Sequence, residues 1–88
     1  MKILKELILR EIAGDVILVP VGQTVLENNG LFALNEVGAD IWKLLTAGKE
    51  PEDIVTALAE IYDAPVEMIR ADTQEFLNKL IVMGILAP

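Results

Sequence analysis

The 88-residue chain contains no cysteine, no histidine and no serine, and its aromatic complement is two Phe, one Tyr and one Trp. Those absences remove the usual nucleophiles, the base that titrates near neutral pH and the soft metal ligands. Hydrolase triads and zinc sites are excluded. Without cysteine there is no disulfide to report an oxidising compartment. Met1-Lys2 is followed by only Ile3 and Leu4 before Lys5 and Glu6, which is too short for the apolar core of a signal peptide. The longest uncharged apolar run, nine residues from Leu80 to Pro88, falls short of the roughly 18 needed to cross a bilayer. The expectation is a cytoplasmic protein with no membrane partner.

Positive charge is also scarce. Seven Lys and Arg face fourteen Asp and Glu, for a net charge of -7, which repels a phosphate backbone. The imbalance is larger after Ala47, where three basic residues stand against eight acidic ones. What the chain has in quantity is apolar surface: 53% of residues are hydrophobic and the mean hydropathy is +0.49. That suffices for a globular core, and residues 1–88 fit a single domain with no linker, repeat or low-complexity tract.

Glu6 to Ala13 and Val16 to Val21 are rich in Ile, Leu and Val and read as strands joined at Gly14-Asp15, a pair suited to a two-residue type II′ hairpin. Asn28-Asn29-Gly30 is a second turn signal, before a third strand at Leu31-Phe32-Ala33-Leu34. Gly22 to Glu27 either extends the second strand or loops out. From Asn35 the apolar period changes to three and four. Asn35 is placed to cap a first helix with Val37, Ile41, Leu44 and Leu45 on one face, stopped at Gly48. Pro51 opens a second helix and Pro65 a third, the latter running through Ile69, Thr73, Phe76, Leu77, Leu80 and Ile81 to a stop at Gly84. Ile85-Leu86 are left to pack or pair. The order β-β-β-α-α-α, without βαβ alternation, predicts an α+β fold with a three-stranded antiparallel sheet followed by three helices, winged-helix-like.

The residues capable of chemistry have plainer readings. Glu36 and Asp40, four apart, are the best-placed carboxylate pair, yet both lie near a helix start where the dipole favours acids. Glu50, Glu52 and Asp53 surround Pro51 without the spacing of a calcium loop. Ala47-Gly48-Lys49 is a fragment of neither phosphate-binding motif. Trp42 beside Ile41 reads as core. A third helix with Arg70 and Lys79 against Glu67, Asp72 and Glu75 is a poor major-groove reader. No cofactor is implied. The third strand carries more functional content: as the outer strand of a meander, Gly30 to Leu34 has no charged residue or proline to protect its free backbone groups, so a partner strand pairs there unless the edge is covered.

Leu9 to Asp15 (LREIAGD), Ala33 to Leu45 (ALNEVGADIWKLL), Asp72 to Leu77 (DTQEFL) and Leu80 to Leu86 occur in an order and spacing that resemble the PqqD-like family over almost the whole chain. The most specific segment is LNEVGADIW. The resemblance implies a RiPP recognition element: a non-catalytic domain that binds the leader segment of a ribosomally made precursor peptide and presents it to a modifying enzyme, often a radical SAM enzyme. It further implies that the leader adds beside the third strand, at Gly30, Leu31, Phe32, Ala33 and Leu34. The leader would pack toward the third helix at Ile69, Arg70, Thr73 and Leu77. The Val21 to Asn29 connection is longer than in the compact PqqD pattern.

Strand addition is physically coherent, because main-chain hydrogen bonds are insensitive to peptide sequence while alternate side chains enter pockets. Four or five bonds at about 0.5 to 1.5 kcal/mol each and two aliphatic anchors at about 1.5 to 3, less the cost of ordering the peptide, give roughly micromolar affinity. The competing expectations are a winged-helix DNA-binding regulator and a subunit that self-associates through the third strand. Acidity disfavours the first, and concentration-dependent dimerisation would mark the second.

Overall fold

The computed structural model describes residues 1–21 and 32–88. Eight elements follow in order: β1 Lys2–Ile3, β2 Leu7–Ile12, β3 Asp15–Pro20, β4 Phe32–Leu34, α1 Glu36–Thr46, α2 Pro51–Ile61, α3 Val66–Val82 and β5 Leu86–Ala87. β2, β3 and β4 form an antiparallel sheet in that order, followed by the three helices. The α+β arrangement expected from the order of elements is therefore the arrangement found.

The hairpin differs in one detail. Ile12 pairs with Asp15, so the loop residues are Ala13 and Gly14, with φ of 53° and 87°. Two positive φ angles define a type I′ turn rather than the type II′ turn expected at Gly14-Asp15. Gly14 takes the second loop position, and Ala13 is left in a conformation L residues disfavour.

The helix ends follow the local chemistry. Asn35, in extended conformation, accepts a 2.7 Å hydrogen bond from the Gly38 N–H through Oδ1 and so caps α1. Pro51 sits in the first turn of α2, where its missing N–H leaves nothing unpaired. Gly48 and Gly84 take positive φ just past α1 and α3, terminating both. After Gly84 the chain buries Ile85 and Leu86 and pairs Leu86 with Ile3 and Ala87 with Lys2, a small second sheet that resolves the open role of this segment.

One face of the main sheet, through Leu7 and Leu18 with Leu9 and Leu34 beside them, packs on a core built from Ile41, Trp42 and Leu45 of α1, Ile54, Val55 and Leu58 of α2, and Ile69, Leu77 and Leu80 of α3. Trp42 is part of that core, as its neighbours suggested. The Tyr62 phenol, at the end of α2, donates a 2.5 Å hydrogen bond to Asp40 Oδ2 of α1. Burial first, then this hydrogen bond and the negative charges of Asp40 and Glu36, push the Tyr62 pKa up to about 12.

Candidate functional site

The register of the sheet decides which backbone groups of β4 are free. A two-residue loop is closed by a pair that exchanges both hydrogen bonds, so Ile12 and Asp15 are such a pair, and the pattern alternates along the hairpin. Leu7 opposite Pro20 is then a pair without ladder bonds, which is where a proline is tolerated in a strand. Val21 N–H donating to Glu6 O at 3.1 Å continues the same alternation. Ile17 therefore directs its N–H and C=O to Arg10, while Val16 and Leu18 turn theirs toward β4. Those two face Leu34 and Phe32, and Ile17 faces Ala33. It follows that Phe32 and Leu34 bond inward to β3, and that the N–H and C=O of Ala33 point to the outer edge. β4 is an outer strand of the described sheet, and Ala33 is solvent-exposed.

A cleft of about 200 Å³ opens where β4 ends. Asn35, the residue after Leu34, forms one wall with Val37, Gly38 and Ile41, and Asp72, Glu75, Phe76 and Lys79 of α3 form the other. Its rim is polar: Lys79 Nζ lies 3.9 Å from Glu75 Oε1, leaving the Asp72 carboxylate as the excess charge among these wall residues. Its apolar part is the half-buried Phe76 ring lying against Gly38, where a Cβ on residue 38 would come within 3.0 Å of Phe76 Cε1.

The expected site residues divide. Phe32, Ala33 and Leu34 form β4 and supply the edge; Gly30 and Leu31 lie outside the described residues, as do the whole Gly22 to Glu27 segment and the Asn28-Asn29-Gly30 turn. On α3 the expectation needs correction. Ile69, Thr73 and Leu77 are 6%, 1% and 0% exposed and belong to the core, not to a groove wall. Arg70 turns the other way and bonds Glu52 Oε2 of α2 at 3.2 Å. At about 100° per residue, the stripe Ile69, Thr73, Leu77, Leu80 is the face α3 buries, and the cleft is met by the adjacent face through Asp72, Phe76 and Lys79. These were the residues missed. The signal for them was the meeting of a glycine in the first turn of α1 with an aromatic on α3, which only becomes legible once the helices are packed.

Thr73 presents a separate oddity, a buried Oγ1 with no hydrogen-bond partner among the described residues. No group of acidic residues among the described ones is placed to hold a metal ion, and no described helix is long and apolar enough to cross a membrane.

A strand edge with no partner strand among the described residues, beside a helix-lined cleft, has the geometry that strand addition requires. The family model described as "Coenzyme PQQ synthesis protein D (PqqD)" matches residues 15–86, and the chain belongs to the PqqD family. Among solved structures it is similar to TbiB1, described as "TbiB1 in Complex with the TbiA(beta) Leader Peptide", at 31% identity and a TM-score of 0.77, covering 98% of this chain and 94% of that one. A comparison with curated protein sequences finds no match.

Proposed function

We propose that this protein is a leader-peptide chaperone: it binds the leader segment of a ribosomally made precursor by strand addition at β4 and presents it to a modifying enzyme, without catalysing a reaction itself. The observation that carries the proposal is the outward N–H and C=O of Ala33 beside the α1–α3 cleft, in a chain 31% identical to a protein solved with a leader peptide bound. The peptide residue opposite Ala33 would exchange main-chain bonds with it, and its two neighbours would project to the helix side of the sheet, toward the cleft.

The modifying enzyme on this reading is a radical SAM enzyme, working in the cytoplasm. Nothing in the fold favours the DNA-binding alternative, since α3 buries one face and lines an acidic-rimmed cleft with the next.

The test is a titration of leader peptides, the TbiA(beta) leader of the similar structure and those of any precursor genes neighbouring this one, against the parent, Ala33→Pro and Phe32→Pro, with circular dichroism as the folding control. Ala33→Pro removes an outward N–H, so it should fold and lose most of its leader affinity. Phe32→Pro removes an inward one and should damage the sheet. A folded Ala33→Pro that binds the leader as tightly as the parent would falsify strand addition at β4. A dimer that forms with rising concentration and dissolves in Ala33→Pro would instead assign the edge to self-pairing.

A further inference from the structure

We infer that β2, at the opposite edge of the sheet from β4, is a self-recognition strand that pairs antiparallel with β2 of a second copy of this chain in one register. The sheet runs β2-β3-β4, so β2 has no partner strand on its outer side among the described residues. The alternation set at the hairpin turns the N–H and C=O of Ile8, Arg10 and Ile12 inward to β3. Leu7, Leu9 and Glu11 therefore direct theirs to the open edge. Leu7 and Leu9 send their side chains to the core, which leaves Glu6, Ile8, Arg10 and Ile12 on the face away from the helices. Ile8 and Ile12 are 41% and 52% exposed there. The Glu6 and Arg10 side chains form no ion pair among the described residues.

Charges on an edge strand ordinarily repel a partner strand. In β2 they are placed to accept one. Glu6-Leu7-Ile8-Leu9-Arg10 carries opposite charges at equal distance on either side of Ile8. When two copies are laid antiparallel about Ile8, Glu6 of each faces Arg10 of the other, Leu7 faces Leu9, and Ile8 faces Ile8. The backbone agrees with that register. Leu7 and Leu9 both turn their groups outward, so each Leu7–Leu9 pair exchanges both main-chain bonds. Glu6–Arg10 and Ile8–Ile8 become the pairs without ladder bonds, whose side chains stand closest. The neighbouring symmetric register sets Arg10 against Ile8 and Leu7 against Glu11, so charge selects between the two. The chain bends at Lys5, and the Leu4 N–H donates to Ile85 O at 2.7 Å, which confines the pairing to Glu6 through Arg10. So short an interface belongs to the weak, transient class. The joined sheet has the order β4-β3-β2-β2-β3-β4, and both β4 edges stay open at its ends. The inference is independent of the proposed leader site.

The test needs only this chain. Sedimentation equilibrium from about 10 µM to 1 mM should show a monomer that passes to a dimer, as a small interface requires. Glu6→Lys and Arg10→Glu each set like charges against one another in a homodimer, and each should raise the dimer Kd by roughly tenfold or more. Mixed with each other, the two variants restore opposite charges at both positions and should form a heterodimer of about parental affinity. Both positions are exposed, and circular dichroism checks folding. A second measurement uses the absence of cysteine from the chain. Ile8→Cys places two thiols across the symmetry axis, within the span of a disulfide, and should cross-link on mild oxidation. Ile12→Cys is the control, because its two copies would stand about 27 Å apart along the strands. The inference is overturned by a parent still monomeric at 1 mM, by equal cross-linking of the two cysteine variants, or by swapped variants that do not pair with each other. A dimer that persists in Ile8→Lys and dissolves in Ala33→Pro also overturns it, since that result moves self-pairing to β4.

Discussion

Tyr62 and Asp40, 22 residues apart in the chain, are joined by a 2.5 Å hydrogen bond that ties the end of α2 to the middle of α1. Because burial, the bond and the nearby carboxylates all favour the neutral phenol, the folded pKa of about 12 lies above the ordinary value near 10. The folded state holds this proton more tightly than the unfolded one. The resulting stabilisation is complete below pH 10 and is lost as pH rises toward 12. Tyr62 is the only tyrosine, so its ionisation can be followed directly by tyrosinate absorbance. Asp40→Ala should move that titration down toward 10; an unchanged midpoint would assign the whole shift to burial.

The capping bond of Asn35 predicts a cost at the strand-to-helix junction. Asn35→Ala leaves the Gly38 N–H without its 2.7 Å partner and should lower stability by about 0.5 to 2 kcal/mol, measured by urea or thermal unfolding. Asn35→Asp, which keeps an acceptor at the same place, should recover most of the loss.

Thr73 should behave in the opposite sense. Its hydroxyl is buried without a partner among the described residues, and a buried polar group left unsatisfied costs about 1 to 3 kcal/mol. Thr73→Val replaces it with a methyl of nearly the same shape, so the unfolding midpoint should rise. A fall would show that the hydroxyl is satisfied.

The hairpin offers a second route to a more stable domain. Ala13 is the one non-glycine residue with positive φ among those described, at 53°. The left-handed conformation costs an L residue about 1 to 2 kcal/mol, and glycine or asparagine tolerates it better. Ala13→Gly and Ala13→Asn should each raise the midpoint of thermal unfolding, with Asn gaining more because it is less flexible when unfolded. If both lower it, the turn is not of type I′.

Punctuation residues made most of this fold readable. Pro51, Gly48, Gly84 and Asn35 each have a backbone requirement that acts within a few residues, so the bounds of α1, the start of α2 and the end of α3 follow from the sequence. The position of the hairpin loop does not, because Gly14 can serve either loop position and only the pairing of Ile12 with Asp15 selects the second. The edge at β4 was legible as a strand lacking charge, but the outward direction of Ala33 depends on register counted from that same loop. The cleft was the least legible part. Asp72, Glu75 and Lys79 have the composition of any solvated helix face, and it takes the approach of Gly38 to Phe76 to give that face a wall.

The outward backbone of Ala33, the one residue of β4 described with both groups turned to the edge, has a kinetic consequence for the proposed function. A leader held there as proposed, at about micromolar Kd and with a typical association rate constant near 10⁶ M⁻¹s⁻¹, has a residence time of about one second. Enzymes commonly turn over at about 10 per second. The time for which the leader is held and the time a partner needs to act on it thus fall within about a factor of ten, so each encounter in the proposed function allows up to about ten rounds of chemistry and then frees the domain for the next precursor.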